Sequence, residues 1–201
     1  MLATFGLAWT IIGRYKAQLI LRTTYLRCNI ACSLQACGKG VNGSFHDKNG
    51  RPLVNPKTFP NMTSMCEKAH SLGLKCGFYM NNCICKEKMF TDPDMIDKIY
   101  RQSVQAMVDW GYDAVKLDGC SQFHNITYWA QLMNETGRPF EVENCHDSST
   151  DPATISNFGD VCPFNWYRSS SDINPHWSKI WYNFQSTRQY ATNPPLSRPG
   201  C

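Results

Sequence analysis

The sequence predicts an α/β fold built on a parallel sheet, and three observations predict it. From about residue 60 onward, helical and extended signals alternate without a long linker, the pattern expected of parallel strands joined by right-handed crossovers. Asp94 to Trp110 carries apolar residues at Ile96, Ile99, Tyr100, Val104, Met107 and Val108, which is helical spacing for one buried stripe. Directly after it, Tyr112-Asp113-Ala114-Val115-Lys116-Leu117-Asp118-Gly119-Cys120 is a short apolar strand ending on a carboxylate. Strand signals recur at ~20 to 40 residues, a spacing that suits the βα units of a barrel and is also compatible with a doubly wound sheet.

The elements follow in order. Residues 33 to 58 hold Gly38, Gly40, Gly43, Gly50, Pro52 and Pro56 and read as one long loop. Asn61 to Leu72 reads as a helix and Leu74 to Met80 as a strand. The helix ending at Trp110 and the strand Asp113 to Asp118 come next. Beyond them the pattern predicts a helix from His124 to Thr136, a strand from Pro139 to Asn144, and a short helix from Pro152 to Phe158. A strand from Asp160 to Tyr167 and a helix from Pro175 to Ala191 complete the series.

Composition narrows the function classes. At 201 residues the chain suits one domain with a real core, yet sits at the lower edge of the ~250 residues a complete eight-fold barrel needs. The net charge of +4 is spread along the chain without a run of Lys and Arg, which argues against a nucleic-acid partner. Eleven cysteines are too many for an ordinary reduced cytosolic enzyme. Sequons at Asn42, Asn61, Asn125 and Asn134 point the same way, so the expected location is secreted or lysosomal/vacuolar. Leu2 to Ile12 is apolar but lacks a preceding basic region and a clear cleavage site, so it does not read as a signal peptide. It is also too short to span a bilayer, and Arg14, Lys16, Arg22 and Arg27 follow it.

Two segments could carry chemistry. Period-two geometry puts Lys116 and Asp118 on one face of their strand. In a parallel barrel its C-terminal end opens into the active site, whereas Asp-Gly elsewhere simply marks a turn. The second segment is Tyr167-Arg168-Ser169-Ser170-Ser171-Asp172-Ile173. Asp172 either caps the helix beginning at Pro175 or faces Asp118 across a barrel mouth, as the paired carboxylates of a glycosidase do. One would be an ionised nucleophile kept so by Lys116, and the other a protonated acid. A separation of ~5 to 5.5 Å would mean retention, and a larger one inversion. Cys83, Cys85, Cys120 and His124 lack a common zinc spacing, so no metal is expected. His46, His70, His146 and His176 lie in separate segments, where a satisfied polar role is the default for each.

Several pieces then stand in a telling order: Gln35-Ala36-Cys37-Gly38, Phe59-Pro60-Asn61-Met62, Ala69-His70-Ser71-Leu72-Gly73-Leu74-Lys75, Gly77-Phe78-Tyr79, Lys116-Leu117-Asp118-Gly119-Cys120, and Arg168 with Asp172. The set, covering about residues 35 to 200, resembles the α-galactosidase and α-N-acetylgalactosaminidase family, the melibiases of glycoside hydrolase family 27. The resemblance implies a (β/α)8 TIM-type barrel, partly represented, with about strands three to six clearly present. Residues 1–30 are then an atypical, unassigned N-terminal segment and residues 31–201 a partial catalytic barrel.

The resemblance further implies a retaining exo-glycosidase acting on terminal α-linked galactose, with Asp118 as nucleophile and Asp172 as acid/base. Lys116, Arg168 and Tyr79 would contact the sugar, and no cofactor is required. The implied partner is a carbohydrate substrate, with no membrane span and with a homodimer as one admissible assembly. It implies a disulfide from Cys120 to Cys83 or Cys85, and a second from Cys145 to Cys162.

The departures are specific. Where the family has an Asp-Asp pair that grips sugar hydroxyls, the chain has Ala31-Cys32. Cys145-His146-Asp147 replaces Cys-Glu-Trp, so His146 leaves the preference between a 2-hydroxyl and a 2-acetamido group open. Arg198-Pro199-Gly200-Cys201 looks like the approach to a seventh strand. The expectation is therefore little turnover by the chain as it stands, with an inactive or carbohydrate-binding relative as the alternative.

Overall fold

The computed structural model describes residues 35–80, 90–119, 121–145, 163–168 and 170–188. Helix α1 (Met62–Ser71) is started by Asn61, whose side chain accepts from the Ser64 backbone N–H at 2.9 Å, satisfying one of the helix's orphan donors. Strand β1 (Gly77–Met80) follows, then helix α2 (Pro93–Trp110). Pro93 opens α2, with Asp92 as its cap. Gly111 stops it in the left-handed region at φ 80°, as a C-terminal glycine does. Strand β2 (Ala114–Asp118), helix α3 (Ile126–Glu135), strand β3 (Glu141–Cys145), strand β4 (Trp166–Tyr167) and helix α4 (Trp177–Ser186) complete the order.

The strands form one parallel sheet in the order β1-β2-β3-β4. Sequential order without a reversal is that of a barrel rather than of a doubly wound sheet. Phe78, Met80, Val115, Leu117 and Val142 point to the helix side and join Met62, Cys66, Ile99, Val104, Met107, Trp129 and Met133 in one core. Alternation then assigns Tyr79, Lys116, Asp118, Glu143 and Cys145 to the opposite, barrel-interior face.

Two boundaries move for physical reasons. Among the described residues, the strand expected from Asp160 to Tyr167 covers Trp166–Tyr167: Pro163 has no N–H for the ladder, and Asn165 uses its side-chain oxygen as well as its backbone N–H to hold Val142, at 2.8 and 2.9 Å. Helix α4 begins after Pro175 with His176 as cap, and Asp172 does not cap it. The helix expected over 152–158 lies outside the described residues. Within the long loop, Gly50 has φ 82° and packs so closely on α2 that a Cβ would lie 2.7 Å from the Lys98 carbonyl carbon, so only glycine fits.

Cys66 in α1 is bonded to Cys76 just before β1, with Cα atoms 5.4 Å apart. The sequence reading did not name this pair. Its short closed loop is expected to make Cys66→Ala with Cys76→Ala less stable by ~2–3 kcal/mol, measured as a fall in the urea midpoint. An unchanged midpoint would show that the bridge contributes nothing.

The sequon residues Asn42, Asn61, Asn125 and Asn134 are all exposed. Among the described residues, no helix is long and apolar enough to cross a membrane.

Candidate active site

The interior face is organised in ranks by the strand register. Tyr79, Lys116 and Glu143 are neighbours in one rank, and Asp118 and Cys145 share the next, closer to the C-terminal strand ends. Arg168, one residue past β4, continues the ladder by donating its backbone N–H to the Asn144 carbonyl at 2.9 Å.

Asp118 sits at the centre. Its Oδ1 accepts from the Gly119 backbone N–H at 2.8 Å, and its Oδ2 accepts from the Tyr79 hydroxyl. Burial, the bond to Asp118 and the charge of Asp118 push the Tyr79 phenol far above its ordinary range, so Tyr79 remains a donor at any working pH. Lys116 Nζ lies 5.3 Å from the centroid of the Tyr79 ring and 3.8 Å from Glu143 Oε1. Gln35, buried in the long loop, donates to the Tyr79 carbonyl at 2.9 Å and ties that loop to the site end of β1.

Arg168 bonds Asp172 through Nη2 and Oδ1 at 2.5 Å. Burial acts to lower its guanidinium, but Cys145, Asp172 and Asp118 outweigh that and hold it above its usual value. The structure thus brings Asp118, Lys116, Tyr79 and Arg168 to one face, with Asp172 linked to the group through Arg168. The Asp172 side chain is 85% exposed. His146, Cys83, Cys85, Cys120 and Cys162 lie outside the described residues.

One expectation is corrected. Cys145 is not bonded to Cys162; it is a free, buried thiol. Its side chain turns to the interior rank beside Asp118 rather than outward to a loop, and burial pushes the thiol up to about 11, which keeps it neutral.

One carboxylate on this face was missed. Glu143 reads in sequence as an ordinary polar position, although Glu141-Val142-Glu143 alternates in step with the strand end. Burial raises its carboxyl, the Lys116 and Arg168 charges oppose that, and Asp118 adds to it. Among the described residues, no group of three or more His, Cys, Asp or Glu side chains could hold a metal ion.

A parallel βα sheet of barrel order with a carboxylate-centred cluster at its C-terminal strand ends is the class of a barrel enzyme site. The family model described as alpha galactosidase A, a melibiase, matches residues 30–196, and the chain belongs to that family. Human alpha-N-acetylgalactosaminidase is 32% identical over 146 residues, 67% of this chain and 34% of the relative. Human alpha-galactosidase A is 27% identical over 156 residues, 71% of this chain and 35% of the relative. The solved α-galactosidase of Saccharomyces cerevisiae with raffinose superposes with a TM-score of 0.52 at 18% identity, over 66% of this chain and 30% of that one, a likeness of fold. The chain spans about a third of the length of the curated relatives it matches.

Proposed function

We propose that the protein acts on carbohydrate as a retaining α-galactosidase-type glycoside hydrolase in a secreted or lysosomal/vacuolar compartment. The observation that carries this reading is Asp118, held by Tyr79 and Gly119 at the C-terminal end of β2, with Lys116 and Arg168 on the same face. In double displacement Asp118 attacks the anomeric carbon while Asp172 protonates the glycosidic oxygen; water activated by Asp172 then releases the sugar. Lys116 and Arg168 place positive charge on the same face as Asp118. Terminal α-linked galactose is the proposed substrate group.

The test is hydrolysis of chromogenic α-galactoside and α-N-acetylgalactosaminide, with proton NMR of the first-formed sugar. Initial release of the α-anomer supports the reading, and initial β-anomer would refute double displacement. A second reading, a binding protein without turnover, is favoured by Ala31-Cys32, which stands where the family has its acidic pair. Binding of galactose without hydrolysis, even after Ala31→Asp with Cys32→Asp, would select it.

A further inference from the structure

Glu143 belongs to the same rank as Lys116, two residues short of the rank of Asp118. That places its backbone ~6–7 Å deeper along the strands than Asp118. In a pocket where Asp118 attacks the anomeric carbon near the mouth, the non-reducing end of the sugar enters first and reaches this depth. The side chain is 30% exposed and that of Lys116 18%, so both are walled in yet reachable. Their 3.8 Å separation is too long for a direct hydrogen bond. A hydroxyl lodged against both donates to the carboxylate and accepts from the ammonium. The positive charges of Lys116 and Arg168 are already matched by Asp118, Glu143 and Asp172, so the cluster suits a neutral sugar rather than an acidic one.

We propose that Glu143 is a specificity-determining residue of this pocket, its carboxylate accepting hydrogen bonds from the 4- or 6-hydroxyl at the non-reducing end of a neutral hexose; the inference rests on the glycosidase reading above. It gives the site an acceptor on β3 that does not depend on Ala31 and Cys32.

The experiment titrates the full chain and its Glu143→Gln variant with galactose and with 2-deoxy-, 4-deoxy- and 6-deoxygalactose, followed by protein NMR. Losing a charge-assisted bond is expected to weaken galactose binding by ~10- to 100-fold. The wild type should show a loss of similar size for 4-deoxy- or 6-deoxygalactose, and Glu143→Gln should weaken that analogue no further. Binding of 2-deoxygalactose should fall in the variant as much as that of galactose. Equal weakening for all four sugars would mark Glu143 as only a counter-ion of Lys116 and overturn the proposal. Galactose binding unchanged by Glu143→Gln would also overturn it, and if turnover persists the glycosidase reading survives. A wild type that loses nothing on either deletion refutes the contact even if the variant does not fold. A wild type that binds no monosaccharide overturns both.

Discussion

Replacing Asp118 by Asn is expected to lower kcat for α-galactoside hydrolysis by a factor on the order of 10⁴ or more. The amide cannot form the glycosyl-enzyme ester, and it leaves the site's shape intact. Its oxygen can still accept from the Gly119 N–H, and Tyr79 can turn its hydroxyl to accept from the new amide group. Sugar binding should therefore persist while turnover vanishes, a split that a folding defect would not produce. The measurement is best made both in the chain as it stands and with Ala31→Asp and Cys32→Asp, since that pair is the acceptor set the family uses. Turnover retained by Asp118→Asn in either background would remove Asp118 from the mechanism.

The second large effect concerns acid stability. His46 is fully buried, its ring tilted against Phe45 with centroids 4.1 Å apart and its Nε2 3.4 Å from Ser103 Oγ. Its Nδ1 has no hydrogen-bond partner among the described residues. Burial drives its pKa from 6.5 down to about 3, so the native state holds His46 neutral where the unfolded chain binds a proton. A depressed histidine costs stability as pH falls: the loss begins near the unfolded value of 6.5 and is complete at the folded value of about 3. Inside that window each pH unit removes up to about 1.4 kcal/mol, and the whole span on the order of 5 kcal/mol. The urea midpoint should accordingly drop between about pH 7 and pH 4, and His46→Leu should show a shallower slope over the same range. Parallel slopes for the two proteins would exclude His46 as the cause.

Much of this fold could be read from residue order. Asn61, Pro93 and Gly111 mark helix ends by local chemistry, and helix bounds came within a few residues because caps act over one turn. Asp118 was visible because a carboxylate closing an apolar strand breaks the pattern of its neighbours. Glu143 was not, since a lone charged residue in a strand looks solvent-facing until the register sets it beside Lys116. The cysteines divide the same way. Their number signalled an oxidising compartment, yet Cys66–Cys76 forms and Cys145 stays free, because a bridge depends on Cα distance and side-chain direction, which spacing along the chain does not give.

By itself, then, the sequence determined the alternation of helix and strand, the family, and the strand end that carries Asp118, all set by local propensity and side-chain period. The tertiary structure decided the barrel order of the sheet, the bond from Tyr79 to Asp118, the Arg168 link to Asp172, the burial of His46 and the depth of Glu143. Apart from the local Arg168–Asp172 pair, these features join residues far apart in the chain, and only packing one element against another brings them within reach.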